Sequence, residues 1–397
     1  MNLKDFRIEL STLVIFDSLL DTDVMYCLEE VLEADRLDEE TFIALYSRLC
    51  AQIYKVNPCF STYIYDYVMN DENVFITTKA ANHKVSKAME AALKNELDIL
   101  ERLSKLSSKD LLKGIHYDKA LPTWEVKKYN LKDDYYQRID ELSTRGYGVF
   151  ARYYVFGVGK NGLFPIKHPD PQSLKEMTGY ERERNLLIRN TKAFIKGMKA
   201  NNALLYGDAG TGKSSSIKAI VNEYHEQGLR LIEVKKHQIA LLPDVIEALS
   251  GNPLKFIVFI DDLSFSRNDD NFIALKNILE GGTVSNKANI VVYATSNRRH
   301  LIKENMEDRS GGELFRNDSI QETMSLAARF GLTITFSKPE KQLYLEIVKN
   351  LAKEYNLLID EQELFTRAEA FAIRNSGRSP RTARQFVEFE KINNSLK

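Results

Sequence analysis

One short stretch, residues 203–214, limits what this chain can fold into more than any other part of the sequence. It reads A-L-L-Y-G-D-A-G-T-G-K-S, and from Gly207 to Ser214 it fits the pattern G-x-x-x-x-G-K-[ST]. The apolar residues 203–206 predict a strand, and apolar residues at helical spacing predict a helix over 213–227. A strand, a glycine-rich turn and a helix in this order predict a phosphate-binding loop.

The residue types of this loop suit the phosphate groups of a nucleotide. Glycines let the backbone turn its N–H groups inward toward an anion, and the start of the following helix favours the same anion. Lys213 can reach the β- and γ-phosphates, and the hydroxyl of Ser214 can bind Mg²⁺. A glycine-rich turn without a ligand is the alternative, which the order of the elements disfavours. The predicted nucleotide-binding residues of the loop are Gly207, Asp208, Ala209, Gly210, Thr211, Gly212, Lys213, Ser214 and Ser215.

Length and charge set broad limits on the rest of the chain. A chain of 397 residues predicts two or three domains, and a net charge of −1 argues against a generally basic surface without excluding a local basic patch. Cys27, Cys50 and Cys59 lack metal-like spacing and are expected to be reduced thiols. The N-terminus is charged where a signal peptide is apolar, and no apolar run is long enough to span a bilayer, so we expect a cytoplasmic protein.

Apolar periodicity divides the chain into three predicted domains. Residues 1–168 are expected to be mostly helical, with a possible β-hairpin near 147–167 around the turn G-K-N-G. Residues 169–338 alternate strand and helix, which predicts an α/β fold with a parallel sheet of five strands. Residues 339–397 are predicted to form a C-terminal helical lid. Ligands of such a sheet bind at the carboxyl ends of its strands.

Two aromatic features are open to more than one interpretation. Tyr63, Tyr65 and Tyr67 alternate as they would in a strand that presents aromatic rings to a partner, although a buried or half-buried packing role is favoured. Tyr180 precedes a helix predicted over 181–195. Its ring is placed either to cover an adenine or to pack in the core, and the pattern does not decide between the two.

Two carboxylates and an amide follow neighbouring predicted strands. Residues 256–262 read F-I-V-F-I-D-D, an apolar strand that ends in Asp261 and Asp262, and Asn297 ends the next strand. We expect Asp261 to hold a Mg²⁺-bound water and Asp262 to orient the water that attacks the γ-phosphate. We expect the Asn297 amide to form hydrogen bonds with the γ-phosphate and with the attacking water. Each could be an ordinary turn residue, but their combination with the phosphate-binding loop favours a catalytic role.

These motifs resemble those of the AAA+ ATPases. G-D-A-G-T-G-K-S is similar to their Walker A motif, F-I-V-F-I-D-D to Walker B and Y-A-T-S-N to sensor 1. The resemblance implies ATP and Mg²⁺ as ligands and a P-loop NTPase core with a helical lid. It also implies a homo-oligomer, either a ring such as a hexamer or a filament, in which an arginine finger completes the neighbouring subunit's active site. The partner on which such an oligomer acts is unknown and is either protein or nucleic acid.

The same resemblance assigns roles to individual arginines. S-L-A-A-R-F-G-L-T-I-T-F is similar to the segment that bears the finger in the replication-initiator branch, which points to Arg329. S-P-R-T-A-R-Q-F is similar to sensor 2, which points to Arg381 on the lid, with Arg384 one turn further on. Arg309 and Arg316 compete with Arg329 for the finger role. They lie within residues 305–319, a polar, glycine-containing stretch expected to be a mobile surface loop.

A closer resemblance is to the DUF815 group of bacterial AAA+ proteins, whose biological role is unknown. It rests on D-D-L-S-F from Asp261, L-E-G-G at 279–282 and S-N-R-R-H-L at 296–301, and it extends over about residues 170–391. Most AAA+ proteins have Glu at the second Walker B acid, where this chain has Asp262. The side chain is shorter by one methylene, which implies a repositioned water and slower hydrolysis.

Three functions compete on these grounds. The first is an oligomeric ATPase that remodels a macromolecular partner gathered by the helical N-terminal region. The second is a nucleic-acid-associated switch, similar to helicase loaders and initiators, in which bound ATP matters more than turnover. The third is a small-molecule kinase, which is disfavoured because no segment for an acceptor substrate is evident.

Overall fold

The computed structural model describes residues 3–34, 38–265, 269–280, 288–297, 326–375 and 377–395. The chain divides into two compact units. The N-terminal unit contains residues 1–152 with 251–253, and the C-terminal unit contains residues 153–250 with 254–397. Across the described residues, no helix combines the length and the apolar character needed to cross a membrane.

The N-terminal unit is mostly helical in its described residues, as the sequence predicts, with a non-helical stretch over residues 112–130. Polar side chains cap several helices by accepting a hydrogen bond from a first-turn N–H, among them Thr22, Asp38 and Ser86. Its three cysteines are buried free thiols, as expected. The helices are α1 Leu3–Leu10, α2 Asp23–Glu33, α3 Glu39–Val56, α4 Phe60–Asn70, α5 Val74–Ala80, α6 Lys87–Ser104, α7 Ser108–Leu111, α8 Leu131–Asp140, α9 Leu142–Arg145 and α10 Val149–Arg152.

The alternating tyrosines lie in helix α4, so the strand interpretation of Tyr63, Tyr65 and Tyr67 is wrong. Tyr63 is buried in the core of the N-terminal unit, and the rings of Tyr65 and Tyr67 pack against that core. Phe60, Tyr63, Ile64 and Val68 are buried at helical spacing. This period of three to four residues outweighs the alternation of the tyrosines, so the rings serve packing.

The C-terminal unit is built on one sheet of seven strands in the order β2-β1-β4-β5-β6-β3-β7. Neighbouring strands are parallel except for the antiparallel pair β1–β2. The α/β fold class is therefore confirmed, although the strand count is seven rather than five. The strands are β1 Val155–Gly159, β2 Gly162–Pro165, β3 Ala203–Gly207, β4 Leu229–Val234, β5 Lys255–Ile260, β6 Ile290–Ser296 and β7 Leu332–Phe336.

The two additional strands are the predicted hairpin, which belongs to the C-terminal unit rather than to the N-terminal one. Strand β1 pairs in parallel with β4, with Val155 opposite Leu231. The hairpin therefore extends the parallel sheet of the C-terminal unit at one edge. The boundary between the units consequently falls after Arg152 and not at residue 168. Local sequence identifies a hairpin through its turn, but it carries no signal for a pairing with a strand so far along the chain.

Helices pack against the sheet, and three further helices form the C-terminal end of the chain. Helix α12, Lys213–Tyr224, buries Ile217, Ile220 and Val221 against sheet residues such as Ile257 and Phe259. The last three helices bury a core of their own around Tyr344 and Phe386, as expected for a lid. The remaining helices are α11 Glu181–Ile195, α12 Lys213–Tyr224, α13 Leu242–Leu249, α14 Asp270–Glu280, α15 Lys341–Glu354, α16 Glu361–Arg374 and α17 Pro380–Ser395.

Candidate functional site

A cavity of about 430 Å³ lies at the carboxyl ends of the parallel strands, within the C-terminal unit. We call it the P-loop cavity, and its size is in the range typical of small-molecule sites. The sheet brings β3, β5 and β6 together, so the residues that follow these strands share one edge. The predicted residues that line it are Tyr180, Ala209, Gly210, Thr211, Gly212, Lys213, Ser214, Ser215, Asp261, Asp262, Asn297 and Arg381.

The phosphate-binding loop starts at a position that excludes a side chain. Gly207 has φ 141°, and a Cβ at this residue would lie 2.0 Å from the carbonyl oxygen of Phe336. The next residue fixes the loop to the end of β7, because the Asp208 N–H donates to Phe336 O at 3.2 Å. The Asp208 carboxylate in turn accepts from the Lys338 N–H at 2.9 Å. Gly207 and Asp208 therefore position the loop without lining the cavity themselves.

Lys213, the first residue of α12, is 5% exposed, and its ammonium group lies among oxygen atoms. Nζ donates to the carbonyl oxygens of Gly207 at 2.9 Å and Asp208 at 2.7 Å. It also donates to Asn297 Oδ1 at 2.9 Å. Burial lowers the pKa of Lys213, while nearby carboxylates act in the opposite direction. An anion entering the cavity would stabilise the ammonium form that burial disfavours.

Asp261 joins three structural elements through one carboxylate oxygen. Its Oδ1 accepts from Ser214 Oγ at 2.6 Å, from Thr295 Oγ1 at 2.5 Å and from the Asp262 N–H at 3.1 Å. These donors come from the start of α12, the end of β6 and the adjacent residue. The hydrogen bonds fix the carboxylate of Asp261 in the lining of the P-loop cavity.

Asp262 has a backbone conformation that few residues other than glycine adopt, with φ 51°. Its N–H donates to Thr295 Oγ1 at 3.0 Å, and its Oδ1 accepts from Asn297 Nδ2 at 2.8 Å. Asp and Asn tolerate this conformation better than most side chains. Strain of this kind collects at functional sites when neighbouring groups hold it in place. Here Thr295 and Asn297 hold Asp262 in the lining of the cavity.

The two predicted Mg²⁺ ligands, Ser214 and Asp261, lie within hydrogen-bonding distance of each other. Ser214 and Asp261 offer hydroxyl and carboxylate oxygens, the ligand types that Mg²⁺ prefers, on adjoining elements. Among the described residues, no group of three or more His, Cys, Asp or Glu side chains could enclose a metal by itself. This fits Mg²⁺, which usually takes one or two protein ligands and completes its shell with water and substrate phosphates.

The lid reaches the cavity through the start of α17. The N–H of Arg381 donates to the carbonyl of Gly210 at 3.3 Å, and a Cβ on Gly210 would lie 3.1 Å from Arg381 Cβ. Arg381 and Arg384 both line the cavity. The structure thus brings the predicted sensor 2 arginine to the phosphate-binding loop.

Tyr180 lines the cavity, but most of its ring is buried. The ring packs on Phe336 with centroids 5.3 Å apart, and the hydroxyl donates to Ser337 O at 2.6 Å. Burial raises the pKa of Tyr180 to about 12. The packing role is therefore present in the structure, and stacking on an adenine stays a prediction.

The predicted arginine finger is not brought to this cavity. Arg329 ends a helical segment, residues 326–329, that precedes β7, and it is not among the described residues lining the P-loop cavity. Arg309, Arg316, the predicted loop at 305–319 and residues 298–301 of the DUF815-like motif lie outside the described residues. So do residues 281 and 282 of L-E-G-G.

Several residues of the site have no individual prediction from sequence. Thr295 bonds both acidic residues, and although it lies in the motif Y-A-T-S-N, the sequence assigns it no role of its own. Arg184 lines the cavity from α11 and donates to Met177 O at 2.6 Å. Ile347 and Leu351 add an apolar wall from α15. Their spacing of four residues predicts a shared helix face, but not which surface that face meets.

Comparisons with known proteins give one broad match and several partial ones. The family model described as "Protein of unknown function (DUF815)" matches residues 151–393. The large subunit of replication factor C from Methanococcus vannielii is 27% identical over 107 residues, which cover 25% of this chain and 21% of that subunit. This chain therefore spans about a fifth of that relative's length.

Solved structures match at lower identity. The RuvB Holliday junction branch migration motor of Thermotoga maritima is 18% identical with a TM-score of 0.38, covering 55% of this chain and 63% of RuvB. The AMPPCP-bound DnaA of Aquifex aeolicus is 18% identical with a TM-score of 0.40, covering 56% of this chain and 66% of DnaA.

Proposed function

This chain belongs to the DUF815 family, and from that premise we propose that it is an AAA+ ATPase that hydrolyses ATP to ADP and phosphate with Mg²⁺. The observation that carries the proposal is the hydrogen-bonded group formed by Lys213, Asp262 and Asn297 in the P-loop cavity. The three side chains follow three different strands. No packing requirement explains why an ammonium, a carboxylate and an amide should meet in an open cavity.

Binding of the phosphates would exchange partners at Lys213. Its three oxygen partners are two backbone carbonyls and an amide, all neutral. A phosphate oxygen carries charge and forms a stronger hydrogen bond with an ammonium than a neutral oxygen does. The exchange would release Asn297 Oδ1 from Lys213. Asn297 Nδ2 donates one N–H to Asp262, and its second N–H would donate to the γ-phosphate, while the first N–H groups of α12 hold the β-phosphate.

Asp262 is the residue that we assign to the attacking water. Its carboxylate is exposed at the cavity and bonded on one side by Asn297, which leaves its second oxygen to accept a proton from water. Ser214 and Asp261 would hold Mg²⁺, which supplies charge neutralisation at the phosphates when bound. Thr295 keeps both acids in position through its hydroxyl.

The lid provides a route from nucleotide state to movement. Arg381 is bonded through its backbone to Gly210 in the phosphate-binding loop, and its side chain lines the cavity. A triphosphate attracts the guanidinium groups of Arg381 and Arg384 more strongly than a diphosphate does. We infer that hydrolysis shifts the lid and that this shift remodels a macromolecular partner.

We assign the finger role to Arg329 in a homo-oligomer. A finger supplied by a neighbouring subunit can contribute about 10³- to 10⁵-fold to the rate. Activity per subunit should therefore rise steeply with protein concentration. Arg329→Ala should keep ATP affinity and lose most hydrolysis, and turnover that does not depend on concentration would contradict the oligomer.

A second function is an ATP-dependent switch on nucleic acid with slow hydrolysis. The observation that favours it is Asp262, whose carboxylate is one methylene shorter than that of a Glu and is tied to Asn297 at 2.8 Å. A switch of this kind would bind ATP and would hydrolyse less than one ATP, on average, each time it binds its nucleic-acid partner.

The experiment that tests the proposal measures phosphate release by the full chain with ATP and Mg²⁺, then with a chelator. Hydrolysis that stops with the chelator and returns with Mg²⁺ is the expected result. Adding single-stranded DNA, RNA or an unfolded protein separates the two functions, because only a remodelling ATPase for proteins is stimulated by the unfolded protein. A chain that binds no ATP at any Mg²⁺ concentration would overturn both.

A further inference from the structure

The outer face of helix α11 carries a row of cations. Arg182, Arg189, Lys192 and Lys196 are all exposed and follow one another at intervals of three, four or seven residues, which places them on one side of the helix. Lys196 is the residue that caps the helix C-terminus. We call these four residues the basic stripe.

The opposite face of α11 is fixed in the fold. Leu187, Thr191 and Phe194 are buried, and the Thr191 hydroxyl bonds the backbone of Leu187 and the hydroxyl of Tyr293. Arg184 points from that side into the P-loop cavity. The basic stripe is therefore held rigidly, and it faces away from the nucleotide.

Arg182 lies between Glu181 and Glu183, but no carboxylate of the same stretch of chain accompanies the other three cations. Residues 184–207 contain neither Asp nor Glu, and within the described parts of the chain no acidic side chain forms an ion pair with any member of the basic stripe. The ammonium of Lys192 instead lies over the Tyr224 ring, 5.5 Å from its centroid. A net charge of −1 over the whole chain makes this local excess stand out.

Other exposed helices of the same chain mix charges of both signs. On α6, Lys87 and Lys94 alternate with Glu90 and Asp98 along one side. On α16, Arg367 bonds Glu363 and Glu390. Such pairs stabilise a helix, whereas like charges three or four residues apart destabilise it. Lys192 and Lys196 lie at the helix C-terminus, where the helix dipole favours cations, but among the described residues the basic stripe has no acidic partner of this kind.

We propose that the basic stripe binds the phosphate backbone of a nucleic-acid strand. From Arg182 to Lys196 the cations extend over about 21 Å at the rise of an α-helix, a straight row that matches a repeating row of phosphates. A row of cations along one side of a helix suits contact with the charged sugar-phosphate backbone rather than with base edges.

Charge and shape favour nucleic acid over the other anionic partners. An interfacial membrane helix needs an apolar face beside its cations. The large apolar residue exposed on the described part of α11 is Leu186, at 41%, and Met198, at 57%, follows the end of the helix, so the two do not form an apolar face. An acidic protein would need apolar contacts to complement its carboxylates, and the face provides few. The binding is independent of the ATPase, because the basic stripe and the P-loop cavity lie on different sides of α11.

The test replaces Arg189, Lys192 and Lys196 together by Glu in the full chain. Fluorescence anisotropy measures binding of a labelled single-stranded DNA and of the matching duplex, without nucleotide, over a series of salt concentrations. We expect the unchanged protein to bind at least one of them with a strong salt dependence. The variant should lose at least about tenfold in affinity, and its salt slope should fall by about 2 to 3 for three lost phosphate contacts.

A matched control reverses three exposed lysines elsewhere, Lys84, Lys87 and Lys94, and changes the net charge by the same amount. This control should keep its affinity for DNA. A milder variant with Gln at positions 189, 192 and 196 covers the case in which the Glu variant does not fold, and ATP binding reports that each variant is folded. The expected loss for the Gln variant is smaller, with the same decrease in salt slope.

Three results would overturn the basic stripe as a nucleic-acid site. One is that the unchanged protein binds neither DNA at physiological salt. Another is that the control loses as much affinity as the charge reversal of α11. The third is that the protein binds anionic phospholipid vesicles and not DNA. Lys213→Ala distinguishes this proposal from the proposed ATPase, because it should lose ATP binding and retain DNA binding.

Discussion

Glu96 in the N-terminal unit and Lys213 in the C-terminal unit are both buried charges, and their surroundings differ in a way that separates structure from function. Glu96 on α6 is 1% exposed and Lys213 on α12 is 5% exposed. A buried charge is costly unless hydrogen bonds compensate it. Both side chains are compensated, so burial alone does not identify the functional one.

The partners of Glu96 belong entirely to the fold. Its two carboxylate oxygens accept from the backbone N–H groups of Val14, Ile15 and Phe16 at 3.0 to 3.1 Å. The carboxylate fixes the chain that links α1 to the next helix. No exchange of partners is available without unfolding that segment, so the group is structural.

The partners of Lys213 line an open cavity. Asn297, one of its three acceptors, is a side chain that is also bonded to Asp262. A ligand can replace these partners while the fold stays intact. The comparison teaches that a buried charge is a candidate for function when its partners face a cavity and can be exchanged.

The largest effect is expected at Asp262. Asp262→Asn removes the proton acceptor that we assign to the attacking water and should reduce the rate of hydrolysis by about 10²- to 10⁴-fold. ATP affinity should change little, since Asn keeps the shape and the hydrogen bond to Asn297. Single-turnover hydrolysis measures the loss. Asp244→Asn, an exposed acid on α13, is the control, and a loss under about tenfold at Asp262 would remove its catalytic assignment.

A second large effect is expected on the stability of the N-terminal unit. Glu96→Ala leaves three backbone N–H groups without their acceptor and should lower the free energy of unfolding by about 3 kcal/mol or more. Trp124, the only tryptophan of the chain, lies buried in this unit, so its fluorescence during urea unfolding reports that unit.

The same experiment tests the structural side of the comparison. Glu90→Ala, at an exposed position of the same helix, should change the stability by about 0.5 kcal/mol or less. ATP affinity of folded Glu96→Ala should equal that of the unchanged protein. A selective loss of ATP binding with no loss of stability would reverse the structural assignment of Glu96.

A smaller effect is expected at Thr295. Thr295→Val keeps the shape of the side chain but removes the hydroxyl that bonds both Asp261 and Asp262. Losing these two hydrogen bonds should raise the barrier by about 1.4 kcal/mol or more and reduce hydrolysis by at least about tenfold. Thr295→Ser restores the hydroxyl and should recover most of the rate. A Val variant as active as the unchanged protein would show that Thr295 serves packing only.

The smallest effect is expected at Tyr180. Tyr180→Phe removes the hydrogen bond to Ser337 and should cost about 1 kcal/mol of stability, while the ring stays in place. ATP affinity should not change, whether or not the ring contacts the adenine. Comparison with Tyr180→Leu then isolates the ring, because a stacked adenine would lose affinity only in the Leu variant.

The sequence predicts most strands and helices of the α/β domain well, because the apolar patterns that identify them are local. The strands that begin at Leu229 and Leu332 have the predicted bounds, and so does helix α11. Parallel strands place their carboxyl ends at one edge, so the meeting of Lys213, Asp261 and Asn297 follows from the order of motifs along the chain.

The features that sequence did not predict depend on distant contacts. The pairing of β1 with β4 joins residues far apart in the chain. Because of this pairing, the boundary between the units lies after Arg152, whereas the sequence predicted it at residue 168. The role of Thr295 depends on its distance to Asp261 and Asp262, which periodicity does not contain. Glu96 looks like any charged residue of a helix until its three backbone donors are seen.

The most direct test of the central claim measures ATP binding by the full chain with Mg²⁺ at equilibrium, for the unchanged protein, Lys213→Ala and Lys218→Ala. Lys218 lies on the same helix and pairs with Glu233, so it is the matched control. The account predicts that Lys213→Ala weakens ATP binding by about 10- to 100-fold, the loss of one charged hydrogen-bonding group, and that Lys218→Ala binds normally. Equal affinity of all three proteins would contradict the assignment of the P-loop cavity as the nucleotide site.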